Sequence, residues 1–170
     1  MSALGNKYPN NKQFQFLADD NAITGGYDRS RYLYYQLKFS ISKAIRIDII
    51  VSFLMESGVK FIINDLKEAL DRGVPIRILT GNYLGITQPS ALYLIKKGLQ
   101  DRVALRLFNE SDRSFHAKAY IFHFEKDSEI YVGSSNISTS ALTSGIEWNY
   151  RLNSNRDTEG YQSFCRTRYH

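Results

Sequence analysis

The sequence has one cysteine, Cys165. It can form no internal disulfide and no cysteine-based zinc cluster, and a reducing cytoplasm is the expected compartment. Only three histidines stand beside it, so a metal centre has few ligands to draw on, and no cofactor is expected. No apolar run approaches the ~20 residues that a membrane span needs. The best candidate, 45–55, is interrupted by Arg46, Asp48 and Ser52. Residues 1–12 are polar and lack the apolar stretch of a secretory signal. There is no internal repeat, no low-complexity segment and no block of like charges. A Gly-X4-Gly-Lys-Ser/Thr phosphate loop is also missing, which excludes that route to ATP hydrolysis within this chain.

What is present is an ordinary globular composition. The chain has 170 residues, and 43% of them are hydrophobic, enough for one domain with its own core. The formal net charge is +5, which suits a polyanionic partner without identifying one.

Residues 1–27 read as an irregular segment. Asp28 can N-cap a helix over 30–43, with Tyr32, Leu33, Leu37, Ile41 and Ala44 facing the core. The β-branched run 45–53 predicts a strand. A helix over 57–72 carries Phe61, Ile62, Leu66, Ala69 and Leu70 as its apolar stripe, with Gly73 at its C′ position. Strands at 75–80 and 103–108 flank a helix over 87–97. Strands follow at 117–124, 129–133 and 147–152, with a short helix over 137–142 and a last one from 157. Alternating elements early and clustered strands late predict an α/β fold, a mixed β-sheet flanked by helices.

The chemistry concentrates in one stretch. His116 and Lys118 are two apart, so on a strand they project from one face. Gly133-Ser134-Ser135-Asn136 follows a strand and precedes a helix, where free N–H groups, hydroxyls and an amide make an anion site. Glu147 and Asn149 alternate on a further strand. A phosphodiester displacement needs a nucleophile, which a neutral histidine can be. It needs a cation on the non-bridging oxygens, which lysine supplies. Serine and asparagine add neutral donors, and a carboxylate can orient the imidazole. Taken singly, each piece has a plain structural reading. The order and combination carry the case. Trp148 and Tyr150 are expected in the core, His123 as a packed or edge histidine, and Arg113 as a solvated loop charge.

His116-X-Lys118 followed by Gly133-Ser134-X-Asn136 resembles the phospholipase D superfamily signature. The resemblance implies a phospholipase D-like fold and a metal-independent reaction through a phosphohistidine. It also implies an active site built from two such motifs. One complete motif is present, so it implies a homodimer in which each chain donates His116. The signature's aspartate, five residues after the lysine, is replaced by His123. Glu147 matches the glutamate of nuclease members that lack that aspartate. The implied catalytic set is His116, Lys118, Ser134, Asn136 and Glu147.

From about residue 30 onward the chain also looks like the N-terminal phospholipase D-like domain of bacterial DEAD/DEAH-box helicases. Segments 53–58, 77–81, 85–89, 140–142 and 145–149 carry that likeness. It implies that 28–170 is such a domain from a longer protein whose motor is absent here, with DNA, or RNA, as partner. Three readings follow: a nuclease acting on DNA, a module that holds the phosphate backbone without cutting it, or an enzyme for another phosphodiester such as a phospholipid, which the missing aspartate, the lack of a membrane-binding segment and the helicase-type flanks all disfavour.

Overall fold

The computed structural model describes residues 21–26, 29–110 and 112–166. Five α-helices and seven strands follow one another along it. They are β1 (Ala22–Gly25), α1 (Leu33–Lys43), β2 (Arg46–Val51), α2 (Glu56–Asp71), β3 (Ile76–Gly81), α3 (Pro89–Gly98), β4 (Ala104–Phe108), β5 (Ala119–His123), β6 (Ser128–Gly133), α4 (Thr139–Leu142), β7 (Ile146–Asn153) and α5 (Thr158–Arg166). The strands form one seven-stranded sheet in the order β1-β7-β6-β5-β2-β3-β4. β2, β3 and β4 run parallel, joined by crossovers through α2 and α3, as parallel neighbours require. β5, β6, β7 and β1 are antiparallel to their neighbours. The mixed sheet with helices is the α/β architecture that the element pattern predicts.

The core lies between this sheet and the helices. Ile47, Ile49 and Val51 of β2 register with Ile76, Ile78 and Thr80 of β3, and all six are buried. Leu33, Leu37 and Ile41 of α1 join the same cluster, as do Val59, Ile62 and Leu66 of α2. Each spacing puts these residues on one helical face. Pro89 begins α3 in its first turn, where a missing N–H costs nothing.

Several expectations are corrected. Residues 22–25, assigned to an irregular segment, form β1 at the edge of the sheet. Asp28 lies outside the described residues, and α1 starts after Tyr32 without a side-chain cap. Phe61 is not in the core stripe. It is 39% exposed and sets its edge against the Tyr34 ring at 4.6 Å. Trp148 and Tyr150 are exposed, not buried. On β7 the usual pattern is inverted: Asn149, Arg151 and Asn153 are buried, while Ile146, Trp148 and Tyr150 face water.

Arg151 sits inside a polar network. It registers with Tyr131 on β6. The Tyr131 hydroxyl shares a 2.9 Å hydrogen bond with Ser40 and donates to Glu129 at 3.3 Å. Burial and the adjacent Glu129 carboxylate hold the Tyr131 hydroxyl well above the usual phenol range. Ser40, Tyr131 and Glu129 thus bond one another beside the Arg151 guanidinium, in a place where an unpaired charge is costly.

Candidate active site

The candidate residues come from the ends of β5, β6 and β7, next to the end of β2. The ladder between β2 and β5 stops at Ile50 and Ala119. Beyond it, the Ser52 hydroxyl donates to the Ala117 carbonyl at 3.4 Å, replacing a backbone contact with a side-chain one. Residues 116–118 therefore lie ahead of the strand and not on it. His116 and Lys118 do not share a pleated face. His116 is exposed and Lys118 is 7% exposed.

Lys118 folds back, and its Nζ donates to the His116 carbonyl at 2.8 Å. This bond ties the lysine to the backbone of the candidate nucleophile. Burial pulls the Lys118 ammonium below the usual lysine range, and the Glu147 carboxylate opposes that pull. The His116 ring packs against Tyr83, with ring centres 4.6 Å apart. Nothing in the spacing of 83 and 116 shows that their rings meet.

Glu147 has a definite partner. It accepts a short hydrogen bond from the Ser134 hydroxyl. The same oxygen of Ser134 accepts the Trp148 N–H at 3.0 Å, and the Ser134 N–H donates to the Trp148 carbonyl at 3.0 Å. Ser134 is thus pinned to β7 from both sides. Gly133 makes that approach possible. A Cβ there would lie 2.1 Å from the Trp148 carbonyl oxygen, closer than any real contact.

In the turn 133–136, expected to form an anion site, the Gly133 N–H donates to the Lys118 carbonyl at 3.4 Å. The Ser134 N–H is engaged, and α4 opens later, with Ser138 as its cap accepting from Ala141 N. Asn136 is buried, and its Oδ1 accepts from Phe53 N at 3.1 Å, which leaves its amide NH₂ to be aimed by that bond. Ile137 bridges to Leu54, and its carbonyl accepts from Met55 N at 2.9 Å. The end of β2 thereby holds the 134–137 turn. The Asn149 amide reaches Ser135 Oγ at 2.9 Å. Tyr120, also buried, donates to the Ser135 carbonyl at 3.1 Å. The two buried turn residues are held from three strands, while Ser134 and His116 stay exposed.

His123 lies at the far end of β5 from Lys118. Its Nδ1 meets Ser128 Oγ at 3.0 Å, and its Nε2 lies 3.4 Å from Asp48 Oδ2. Arg46 and Arg77 also bind Asp48. Burial alone would raise the Asp48 carboxyl. The His123 hydrogen bond, the Arg77 hydrogen bond and the two guanidinium charges outweigh it and hold the carboxyl well below the usual range. His123 is thus a packed histidine in a structural cluster. Arg113 is a solvated loop charge that pairs with Glu110 at 3.7 Å. Among the described residues, no group of three or more potential metal ligands comes together, and no helix is long and apolar enough to cross a membrane.

A mixed sheet whose central strands end on a lysine, a serine-asparagine turn and a carboxylate defines the class of phospholipase D-like domains. The family model described as "Cardiolipin synthase, PLD-like domain" matches residues 38–166, and the chain belongs to this phospholipase D-like family. Among solved structures, the chain is similar to Nuc from Salmonella typhimurium, a phospholipase D family member, with 19% identity and a TM-score of 0.53 over 76% of this chain and 80% of that one. NucT from Helicobacter pylori gives 16% identity and 0.53, over 76% and 82%. Phosphatidylserine synthase from Haemophilus influenzae gives 16% and 0.54, over 86% and 38%. At these identities the likeness is one of fold. No curated protein matches the chain.

Proposed function

We propose that this domain is a metal-independent phosphodiesterase that cuts DNA, with His116 as nucleophile. The observation that carries the reading is the joining of Lys118, Ser134 and Glu147 into one polar arrangement beside an exposed histidine. Lys118 neutralises the phosphate oxygens. Ser134 and Asn136 donate to the charge that develops on them. His116 attacks phosphorus, expels one alcohol and forms a phosphohistidine, which water then opens. Glu147 bonds Ser134 and lies close enough to Lys118 to favour its ammonium form. It serves as the orienter of the phosphate-binding side chains and not of the imidazole.

The leaving oxygen needs a proton, and the described chain offers one exposed histidine at the site. A second copy supplies the other, so the active form is a homodimer. Ile146 and Trp148 support this reading as large apolar side chains exposed on either side of Glu147. The positive net charge and the pairing of Lys118 with backbone-level chemistry favour a nucleic acid held through its phosphates. The helicase-like segments support a module that a separate motor delivers to DNA.

The test is cleavage of labelled DNA in excess EDTA, with His116→Ala alongside. Cleavage that resists EDTA and disappears in the variant is the expected result. Mixing equal amounts of wild type and His116→Ala, then letting subunits exchange, leaves about a quarter of the activity if two copies build one site, and about half if each chain works alone. DNA binding by both proteins without cleavage would instead establish a docking module.

A further inference from the structure

A cavity of about 300 Å³ opens beside His116, between the turn at 82–84 and the segments 108–110 and 112–115. It is of the size that holds a small ligand fragment. Tyr83 forms one wall, and the same ring contacts His116. Phe108 forms another, stacked at 4.9 Å on the buried Phe115. Both aromatic walls are thus braced by neighbours before any ligand arrives. Leu84, 79% exposed, sits on this rim with a φ of +52°. That left-handed conformation is unfavourable for a residue with a Cβ. The turn keeps an apolar side chain in the open at this position.

The charges decide what can enter. Glu110 and Asp112 line the cavity against one cation, Arg113, and Arg113 is paired with Glu110. The lining is net negative, which disfavours a phosphate. It suits a neutral aromatic ring whose amino and imino hydrogens find carboxylate and amide acceptors, Asn109 among them. We infer that this cavity is a subsite for one unstacked nucleobase next to the scissile phosphate. The inference deepens the nuclease reading and rests on it for the identity of the ligand. A base inside a duplex is stacked on both sides and cannot enter without leaving the stack. The subsite therefore makes the domain select single strands or flipped nucleotides.

The experiment measures binding of the full chain as His116→Phe, which cannot attack phosphorus and keeps an aromatic ring against Tyr83. Two labelled single strands are compared by fluorescence anisotropy: oligodeoxythymidylate, and an abasic strand of the same length and charge. The base-bearing strand is expected to bind at least about tenfold tighter, as base–aromatic stacking gives elsewhere. Tyr83→Ala is expected to bring the two affinities together by weakening only the base-bearing strand. Asn109→Phe, which fills the cavity from an exposed position, is expected to do the same and covers the case in which Tyr83→Ala fails to fold. Equal binding of the two strands overturns the subsite, as does a preference that survives Asn109→Phe. The catalytic reading stands or falls separately, on EDTA-resistant hydrolysis of bis(p-nitrophenyl) phosphate by the wild type and its loss in His116→Ala.

Discussion

Replacing Lys118 with methionine separates the two things this side chain does. The ammonium makes a charge-assisted hydrogen bond to the His116 carbonyl, and such bonds contribute about 1.5–3 kcal/mol. It is also almost fully buried, and exchanging a buried ion for an apolar group of like size is often neutral or mildly stabilising. The two effects offset, so folding stability should change by no more than about 1 kcal/mol, or about 2–4 °C in Tm for a domain of this size. Turnover should respond quite differently. Losing one preorganised partner of the transition-state charge costs about 3–4 kcal/mol, a fall of about 10²–10³ in kcat. Lys118→Arg should not restore it, because a planar fork does not replace a compact ammonium in a closed space. The assay is phosphodiester hydrolysis in EDTA, paired with thermal unfolding. A folded Lys118→Met protein that keeps kcat within about threefold of wild type would refute the reasoning, and would leave the lysine as no more than a clasp on the His116 carbonyl.

Glu147→Gln removes the charge that counters the effect of burial on Lys118. The lysine should then lose its proton at lower pH, so the alkaline limb of the kcat–pH profile moves to lower pH, while a profile that stays in place counts against the pairing. Asp48 is held deprotonated by His123, Arg77 and Arg46. Its folded-state pKa lies below its unfolded one, so its stabilisation is full above about pH 4 and is lost as pH falls further. Asp48→Asn should lower stability near neutral pH by about 1–2 kcal/mol, a figure discounted because both arginines are partly solvated, and should flatten the acid side of the stability curve measured by urea unfolding. Gly133→Ala must part β6 from β7 at Trp148; activity should fall more than Tm, and hydrogen exchange at Ser134 should rise.

Much of the fold was legible because its period was regular. β2, β3 and the stripe of α2 repeat apolar residues at strand and helix spacing, and those residues are the core. β1 was missed because Ala22–Gly25 has little local character. It becomes a strand only by pairing with β7, which lies far along the chain. β7 misled for the opposite reason. Its apolar residues face water, because its buried side is occupied by Asn149 and Arg151 as part of polar networks. Of the candidate site, the residue types and their order could be read. Their arrangement could not. The point where β5 begins is set by Ser52 capturing a carbonyl 65 positions away, and the partner of Glu147 is set by how closely Gly133 lets two strands approach. Both are products of packing, on which the sequence pattern is silent.

The edge strand β1 is tied to the candidate site through Asn149. The Asn149 amide that holds Ser135 also reaches the Ile23 carbonyl, at 3.5 Å. Ile23 and Asn149 are direct partners across the two strands, and Asn149 stands two residues from Glu147. Peeling β1 from the sheet would remove one restraint on Asn149 and slacken the turn that carries Ser134 and Asn136. A disturbance at β1 therefore reaches the turn of Ser134 and Asn136 through three hydrogen-bonded residues, Ile23, Asn149 and Ser135.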